Sequence, residues 1–494
     1  MSVTSGPRIT TNGLILFFDA ADPNSLLSTV EVLVVAGGGG GGVGGGGAGG
    51  LIYNSAFPVS VGTTYSVTVG AGGAASTFWG GNGSSGSNSA FSSLTATGGG
   101  AGNHASPSPS GGSGGGGGYL SPGGAGTAGQ GFAGGAGLGA PNYPGGGGGG
   151  AGAAGADAVS TSVAGAGGVG FRYDISGTPT YYAGGGGGST QGGGTGAAGG
   201  LGGGGAGGGN VNGTAGTANT GGGGGGGTNF GGAGGSGIVI VRYPGSQKAS
   251  GGTITSVGGY TIHTFTSVGS SSFTPNATWY DISGNSNHGT INSGEFSTAN
   301  KGYLQNSGNV TNFFYISIPD STSISAAFSP AGGGWTIEET VYTYSVTYPE
   351  ADAGTVVSGA GYGIGAVGFD WNHGVGNTQF QFGQSNNSPS SYSETVMISL
   401  NAPYSNLNYW KLRSMVWDRS SNTVSLYING VYQGGGSTPN TSGKTLYDGG
   451  GISLGTLYGW KHFGRRSLVR VYNRILTAAE INQNYQAIKT RYDI

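Results

Sequence analysis

The sequence predicts a mainly β protein in which a long glycine-rich segment interrupts ordinary strand-forming sequence. Short runs of β-branched and aromatic residues, separated by turn residues, recur on both sides of that segment. Glycine accounts for 121 of the 494 residues and is concentrated between about Gly37 and Gly237. Two apolar runs bracket the segment, VEVLVVA at residues 30–36 and GIVIVRYP at residues 237–244, and each has the length of a buried strand. We expect these two runs to pair, which would place the two ends of the segment close together.

The glycine-rich segment does not fit two common glycine motifs. A phosphate-binding loop must open a helix, but residues 51–73 (LIYNSAFPVSVGTTYSVTVGAGG) read as strands and turns, so a dinucleotide site is excluded. Collagen needs glycine at every third residue with abundant proline, and the chain has irregular glycine runs and only 17 Pro.

Two interpretations of the segment remain. Glycine-rich chains usually behave as flexible linkers, because glycine loses much entropy when it is ordered. Alternatively, extended threefold helices of the polyglycine II type pack side by side, and the absent side chains let each N–H reach a neighbouring C=O. Such a lattice must recover about 1–2 kcal/mol of entropy per residue. The length of the glycine-rich segment favours a lattice. So does the alternation of glycine runs with short segments that carry bulkier residues, namely Tyr119, Phe132, Tyr143, Phe171, Tyr181, Tyr182 and Phe230.

Composition narrows the classes of function. Charged residues make up 7% of the chain and the net charge is −2, so a basic nucleic-acid-binding surface is not expected. The chain has no cysteine, which excludes disulfides and thiolate metal sites. No run of 18 apolar residues and no signal peptide is evident, so we expect no membrane insertion and synthesis in the cytoplasm of a host cell.

The order of segments in residues 30–244 resembles the glycine-rich module of bacteriophage virion proteins, particularly tail-fibre and tail-tip proteins. The resemblance lies in VEVLVVAGGGG, TYSVTVGAGG, SNSAFSSLTATGGG, GTANTGGGGGGG and GGSGIVIVRYP. It implies a virion protein with a sandwich of polyglycine II helices on a small β neck, whose loops contact the host receptor. The following stretch, residues 253–275, is predicted to form a β-hairpin with Gly258 and Gly259 at the turn.

The C-terminal region resembles laminin-G-like (LamG), concanavalin-A-like antiparallel β-sandwich domains of phage structural proteins. The resemblance is carried by ATWYDISGNSNHGTI, TVSLYINGVYQGG and LVRVYNRILTAAEINQNYQAIKTRY. Asn429-Gly430 predicts a type I′ hairpin turn, and Thr477 and Glu480 predict a helix capping box, with Ile481, Tyr485 and Ile488 on one helix face. Such domains begin with a strand like GLILFFDAADPNS (residues 13–25) followed closely by TWYDISGN, which here occurs at residues 278–285. The glycine-rich module is therefore predicted to be inserted in the sandwich. The predicted divisions are residues 1–29 and 276–494 for the sandwich, 30–245 for the insert and 246–275 for a hairpin connector.

Catalytic chemistry is not expected. Glucanases of this fold carry their carboxylates as E-x-D-x-x-E, and the nearest string, EADAGT at residues 350–355, has Thr355 in place of the second Glu. Glu338 and Glu339 are adjacent and face opposite sides of a strand. No metal-ligand spacing stands out among the five His. We predict no catalytic residue, no metal and no cofactor, while binding of sugar or Ca²⁺ by the sandwich stays open.

Two sets of binding residues are candidates. The segment at residues 368–377 combines Asp370, Trp371 and His373, which suits a sugar platform, although Trp371 also suits the core and Asp370 a turn. His263, Trp279 and Asp281 are expected to be structural. The second set consists of aromatic residues between glycine runs, which would alternatively plug the ends of the lattice: Tyr119, Phe132, Tyr143, Tyr181 and Tyr182.

These features predict a virion surface protein that acts as an adhesin. The expected partners are a host cell-surface glycan or outer-membrane protein and other virion proteins. A non-adhesive capsid decoration or fibre protein is the alternative, and a glycan depolymerase is the third candidate. The chain has no heptad repeat to set an oligomeric state, which leaves a homotrimer open.

Overall fold

The structure is a computed structural model that describes most of the glycine-rich segment and parts of the sandwich. The described residues are 8–78, 80–192, 194–293, 295–297, 303–305, 315–319, 321–327, 333–343, 355–357, 367–372, 377–385, 392–400, 409–437, 452–454, 456–457, 460–461 and 464–494. The chain forms two compact units. Unit 1 combines Met1–Ser28 with Asn276–Ile494, and unit 2 is Thr29–Pro275. These outer boundaries lie within a residue of those predicted for an insertion.

The described elements of the chain are almost all strands. The first strand of unit 1 is β1 (Leu14–Asp19), and those of unit 2 are β2 (Thr29–Val35), β3 (Leu51–Pro58), β4 (Tyr65–Val69), β5 (Ser89–Phe91), β6 (Leu94–Ala96), β7 (Phe171–Tyr173), β8 (Thr180–Tyr182), β9 (Ile238–Pro244), β10 (Ala249–Ser250), β11 (Thr253–Val257), β12 (Tyr260–Phe265) and β13 (Gly269–Pro275). The rest of unit 1 contains β14 (Thr278–Trp279), β15 (Gly289–Ser293), β16 (Glu295–Ser297), β17 (Tyr303–Gln305), β18 (Tyr315–Ile318), α1 (Thr322–Ala327), β19 (Gly334–Thr343), β20 (Thr355–Val357), β21 (Val367–Asn372), β22 (Asn377–Ser385), β23 (Tyr392–Leu400), β24 (Trp410–Asp418), β25 (Thr423–Ile428), β26 (Val431–Ser437), β27 (Ile452–Leu454), β28 (Thr456–Leu457), β29 (Trp460–Lys461), β30 (Gly464–Tyr472), α2 (Ala478–Gln486) and α3 (Lys489–Tyr492).

Unit 1 contains two large antiparallel sheets. One has the order β16-β17-β30-β19-β24-β25-β26, with β1 also paired to β30, and the other has the order β14-β15-β18-β27-β20-β21-β22-β23. The predicted mainly β, concanavalin-A-like class is confirmed. Because β1 pairs with β30 and Trp279 stacks on Phe18 at 4.9 Å, the N-terminal strand and the TWYDISGN segment belong to the same unit.

The local signals of unit 1 form the predicted structures. Asn429 and Gly430 connect β25 to β26 with φ angles of 49° and 77°, as a type I′ turn requires. Thr477 caps α2 and forms the capping box with Glu480. Ile481 is buried in α2 and Tyr485 packs beside the buried Ile488, but Ile488 lies between α2 and α3 and not, as predicted, on the face of one helix.

Unit 2 combines two five-stranded sheets with the glycine-rich segment. The order of the first sheet is β11-β12-β9-β2-β3 and that of the second is β10-β13-β4-β5-β6. The predicted pairing of the bracketing runs is confirmed, since β2 and β9 are antiparallel neighbours. The hairpin of β11 and β12 turns at Gly258 and Gly259 as predicted. It is not a separate connector, however, because β12 pairs with β9 and β13 pairs with β4.

The glycine runs of unit 2 form extended segments joined by hydrogen bonds that repeat every third residue. In residues 145–150, the backbone N–H groups donate in turn to Ser189, Gly117, Ala156, Gly186, Gly114 and Ala153. Residues i and i+3 thus bond to the same neighbouring segment, so each segment is surrounded by bonded neighbours. A repeat of three is what a polyglycine II lattice requires.

Close approach explains why these positions are glycine. A Cβ added at Gly147 would lie 1.9 Å from the carbonyl oxygen of Ala166, and one added at Gly223 would lie 1.9 Å from that of Gly46. Both obstacles are backbone atoms, which cannot move aside as a flexible side chain would. The hydrogen bonds between segments therefore depend on the absence of side chains.

Candidate functional site

Two adjacent glutamates of unit 1, Glu338 and Glu339, form ion pairs with buried arginines. Glu338 is buried in β19, where Arg470 Nη1 lies 2.8 Å from its Oε2 and Asn484 Nδ2 of α2 donates to the same oxygen. Burial raises the pKa of Glu338, and the charge of Arg470 opposes this rise. Glu339 forms ion pairs with Arg413 and Arg466. Both glutamates thus neutralise buried arginines. Of the EADAGT string, only Thr355 lies within the described residues.

The candidate sugar platform of unit 1 is only partly described. Asp370 and Trp371 lie in β21, where they pair in register with Gln379 and Thr378 of β22. His373 lies outside the described residues. The proposed combination of these three side chains therefore stays a prediction.

The residues expected to be structural are buried. His263 hydrogen-bonds to the Tyr243 hydroxyl at 2.9 Å and to the Gly251 carbonyl at 2.7 Å. Asp281 accepts hydrogen bonds from the backbone N–H groups of Phe17, Ser283 and Asn287, so it organises the turn that follows Trp279.

In unit 2, the loops at one end of the extended segments form a continuous surface, which we call the loop face. It consists of residues 76–78, 80–82, 103–108, 118–122, 138–144, 159–163, 190–192, 210–212 and 228–230. The loops contact one another in succession. Their links are His104 N to Asn82 Oδ1, Tyr119 to Tyr143, Asn142 Nδ2 to Ser162 Oγ, Gln191 N to Asn142 O, Gly192 N to Asn210 Oδ1, and Thr228 N to Val211 O. Gly231 N donates to Ser76 Oγ, so the last loop returns to the first.

The loop face exposes apolar side chains. Seven of its large apolar residues are 40–74% exposed: Phe78, Tyr119, Leu120, Val159, Val163, Val211 and Phe230. The rings of Tyr119 and Tyr143 contact each other with centroids 5.2 Å apart. Leu120 and Tyr143 have positive φ angles of 49° and 45°, a conformation that is unfavourable for bulky residues and is concentrated at functional sites.

The loop face is also uncharged. None of its residues is Asp, Glu, Lys or Arg. Burial lowers the pKa of His104, which keeps this side chain neutral near pH 7. A partner would therefore be recognised through apolar contacts and through the amide, hydroxyl and backbone groups of Asn, Ser, Thr and Gly.

The structure separates the aromatic candidates into two groups. Tyr119 and Tyr143 lie together on the loop face, whereas Phe132, Tyr181 and Tyr182 lie at the other end of the segments. Tyr182 is only 3% exposed and packs in a core cluster with Leu51 and Ile175, so its ring is not presented to a ligand. Tyr181 and Phe132 are partly exposed. Sequence reasoning missed Phe78, Leu120, Val159 and Val211, although Leu120 follows Tyr119 directly and Val211 stands alone between Asn residues.

Among the described residues, no group of three or more His, Asp or Glu side chains is arranged to hold a metal ion. No helix in the described ranges is long and apolar enough to span a membrane.

The fold defines a two-part β protein, and two family models match successive parts of the chain. A glycine-rich domain family matches residues 18–244, and the concanavalin A-like lectin/glucanases superfamily matches residues 313–482. The chain thus contains a glycine-rich domain and a lectin-like domain. No curated protein matches the sequence.

Solved structures resemble part of the chain. The binding domain of Paraclostridial Mosquitocidal Protein 1 has 15% identity and a TM-score of 0.33 over 42% of this chain and 48% of that chain. Trypanosoma rangeli sialidase bound to the inhibitor DANA has 14% identity and a TM-score of 0.33 over 42% and 31%. The binding domain of botulinum neurotoxin serotype G has 15% identity and a TM-score of 0.32 over 42% and 47%. The chain thus spans less than half the length of each.

Proposed function

We propose that this chain is a surface protein of a bacteriophage particle and acts as a tail-fibre or tail-tip adhesin. In this proposal the loop face of unit 2 contacts a host cell-surface glycan or outer-membrane protein. The protein is made in the host cytoplasm, binds other virion proteins and has no enzymatic activity. The segment order shared with phage glycine-rich modules supports the phage assignment.

The observation that carries the proposal is the continuous, uncharged loop face on a hydrogen-bonded support. Loops that a rigid scaffold positions commonly hold binding residues. Tyr, Ser, Gly and Asn are also the residues that antibody loops use for adaptable recognition, with Tyr providing large contacts at low entropic cost. Exposed apolar side chains gathered on one surface are typical of an interaction site.

Binding of the purified chain to host cells tests this proposal. We expect the double variant Tyr119→Ala/Tyr143→Ala to bind at least about tenfold more weakly, because aromatic residues dominate the energy of such contacts. Tyr432→Ala is the control, since Tyr432 is an exposed tyrosine of unit 1. Raising the salt from about 0.05 M to about 0.5 M should change affinity by less than about twofold, because no charge lies on the loop face.

Other outcomes select the alternatives. Immunogold labelling of the intact particle should place the chain on a fibre or tail tip. A chain that binds capsid or tail proteins but no host surface would be a structural component. Release of sugar from host polysaccharide would identify a depolymerase.

A further inference from the structure

A groove lies in unit 2 at the end of the extended segments opposite the loop face. Its volume is about 670 Å³, within the range of about 300–1,000 Å³ that small-molecule sites occupy. The groove is lined by the turn at residues 125–133, by β3 and by β7. The strands belong to sheets, and the turn is fixed by hydrogen bonds of Gln130 to Thr97 N and of Leu51 N to Gln130 O. The groove is therefore a preformed feature of the unit.

Aromatic rings line this groove side by side. Tyr53 and Tyr173 have ring centroids 4.7 Å apart at 35°, and Phe171 and Tyr173 have centroids 5.3 Å apart at 32°. Phe132, which belongs to the turn at residues 125–133, lines the same groove. Phe132 and Phe171 are 49% and 50% exposed, so large apolar faces lie open to solvent. We call Tyr53, Phe132, Phe171 and Tyr173 the aromatic groove.

A polar cluster borders the aromatic groove at Tyr53. The Tyr53 hydroxyl donates to Glu31 Oε2 at 2.8 Å, and Arg242 Nη2 lies 2.6 Å from the same oxygen. Arg242 also donates to the Asp174 carbonyl, and its Nη2 lies 3.6 Å from the Asp174 carboxylate, whose side chain is 75% exposed. Burial and the hydrogen bond to Glu31 raise the pKa of Tyr53 to about 12, so the phenol stays neutral.

The charges of this cluster select against anions. Two carboxylates, Glu31 and Asp174, share one guanidinium, that of Arg242, which leaves one negative charge within this cluster; the exposed Arg172, between Phe171 and Tyr173 in β7, is not among the lining residues. No residue that lines the groove itself is charged. An acidic ligand would meet this negative charge without a free cation among the lining residues, whereas a neutral ligand would meet only aromatic faces and hydrogen-bonding groups.

We infer that the aromatic groove binds a neutral saccharide of one or two pyranose rings. A pyranose offers an apolar C–H face, which packs on aromatic rings, and a rim of hydroxyl groups. The Gln130 side chain lines the groove, and Asp174, the residue after Tyr173, carries an exposed carboxylate; these are the polar groups nearest to such a rim in the sequence of the groove elements. This site is separate from the loop face, so the inference goes beyond the proposed function and does not depend on it.

The test uses the full chain with a glycan array and with saturation-transfer NMR on neutral disaccharides, including maltose, cellobiose and lactose, beside the acidic sialyllactose. We expect saturation to pass from aromatic protons to the C–H face of a neutral sugar. Phe171→Ala should weaken binding about tenfold or more. Ala128→Leu should also weaken it, because Ala128 is exposed on the groove wall and a larger side chain fills the space without removing a packed atom.

Phe230→Ala is the matched control, since Phe230 is 47% exposed but lies on the loop face. It should leave sugar binding unchanged, and unchanged thermal unfolding should accompany each variant. The inference is overturned if no neutral glycan binds, if binding survives both groove variants, or if an acidic glycan is preferred. Self-association that Phe171→Ala abolishes would instead assign the groove to a second copy of the chain. Loss of host-cell binding only in Tyr119→Ala/Tyr143→Ala would uphold the adhesin proposal, whether or not the aromatic groove binds sugar.

Discussion

Replacement of Gly147 by Ala tests whether the glycine-rich segment is a lattice held by backbone contacts. The new Cβ would lie 1.9 Å from the Ala166 carbonyl oxygen, whereas a relaxed C···O contact is about 3.3–3.6 Å. The two segments must therefore separate by roughly 1.4 Å or more, the difference between these distances. That carbonyl accepts a hydrogen bond from Ala156 N at 2.9 Å, and Ala156 O in turn accepts one from Gly147 N.

The expected cost follows from these contacts. Separation breaks or strains two buried hydrogen bonds, each worth about 1–3 kcal/mol when its groups are left unpaired. A gain of about 0.4–1 kcal/mol from the stiffer unfolded chain offsets part of this loss. We expect a net destabilisation of about 2–5 kcal/mol, which corresponds to a loss of amide-exchange protection of roughly thirty- to several-thousand-fold.

Hydrogen-exchange mass spectrometry of the full chain measures this change in peptides that cover residues 145–170. Gly139→Ala is the control, because the nearest atoms to its new Cβ belong to the Leu120 side chain at 3.3 Å or more. Equal protection in Gly147→Ala and the native chain would refute the steric reasoning. Exchange of the native segment at the rate of an unfolded peptide would show that it is a flexible linker.

Three further predictions concern the sandwich. Arg470→Met should destabilise unit 1 by about 3–5 kcal/mol in chemical denaturation, because it leaves the buried Glu338 carboxylate without its cationic partner. Adding Glu338→Gln should restore part of that loss, and an unchanged free energy of unfolding in Arg470→Met would contradict this reasoning. The hydrogen bond from Arg474 lowers the pKa of Glu480 from 4.5 to about 2, so stability should be present above pH 4.5 and fall as the pH drops towards 2. Glu480→Gln should flatten that pH dependence in acid titration, and an unchanged slope would disprove the role of this carboxylate. Gly430→Ala should cost about 1–2 kcal/mol in thermal unfolding, because its φ of 77° is unfavourable for a residue with a Cβ, and an unchanged midpoint would count against the type I′ turn.

Local chemistry made much of the fold predictable. Asn429-Gly430 and the Thr477–Glu480 box act over a few residues, so their structures follow from sequence alone. The register of the glycine segments could not be predicted, because glycine carries no side chain that could distinguish one neighbouring segment from another. The pairing of β12 with β9 was also missed, because β10 and β11 lie between these two strands in the chain and no local pattern marks which strand β9 pairs with.

The candidate site was predictable where isolated aromatic residues interrupt glycine runs, as at Tyr119 and Tyr143. Tyr181 and Tyr182 are adjacent in a strand of three residues, which is too short to reveal by alternation that Tyr182 is the buried one. The aromatic groove could not be predicted, because Tyr53 and Tyr173 meet only through a fold that joins β3 to a distant hairpin.

The contacts at the two ends of unit 2 have a consequence beyond stability. Thr29, at the start of unit 2, pairs with Pro58. Gly62, shortly after Pro58 in the chain, donates a hydrogen bond to the carbonyl of Pro275, at the end of unit 2. Both junctions with the sandwich thus sit at one corner of the insert. Recombination at these two junctions, which are far apart in the gene but close in the folded chain, would move the whole cassette into an unrelated carrier, or exchange it for another, without cutting either core.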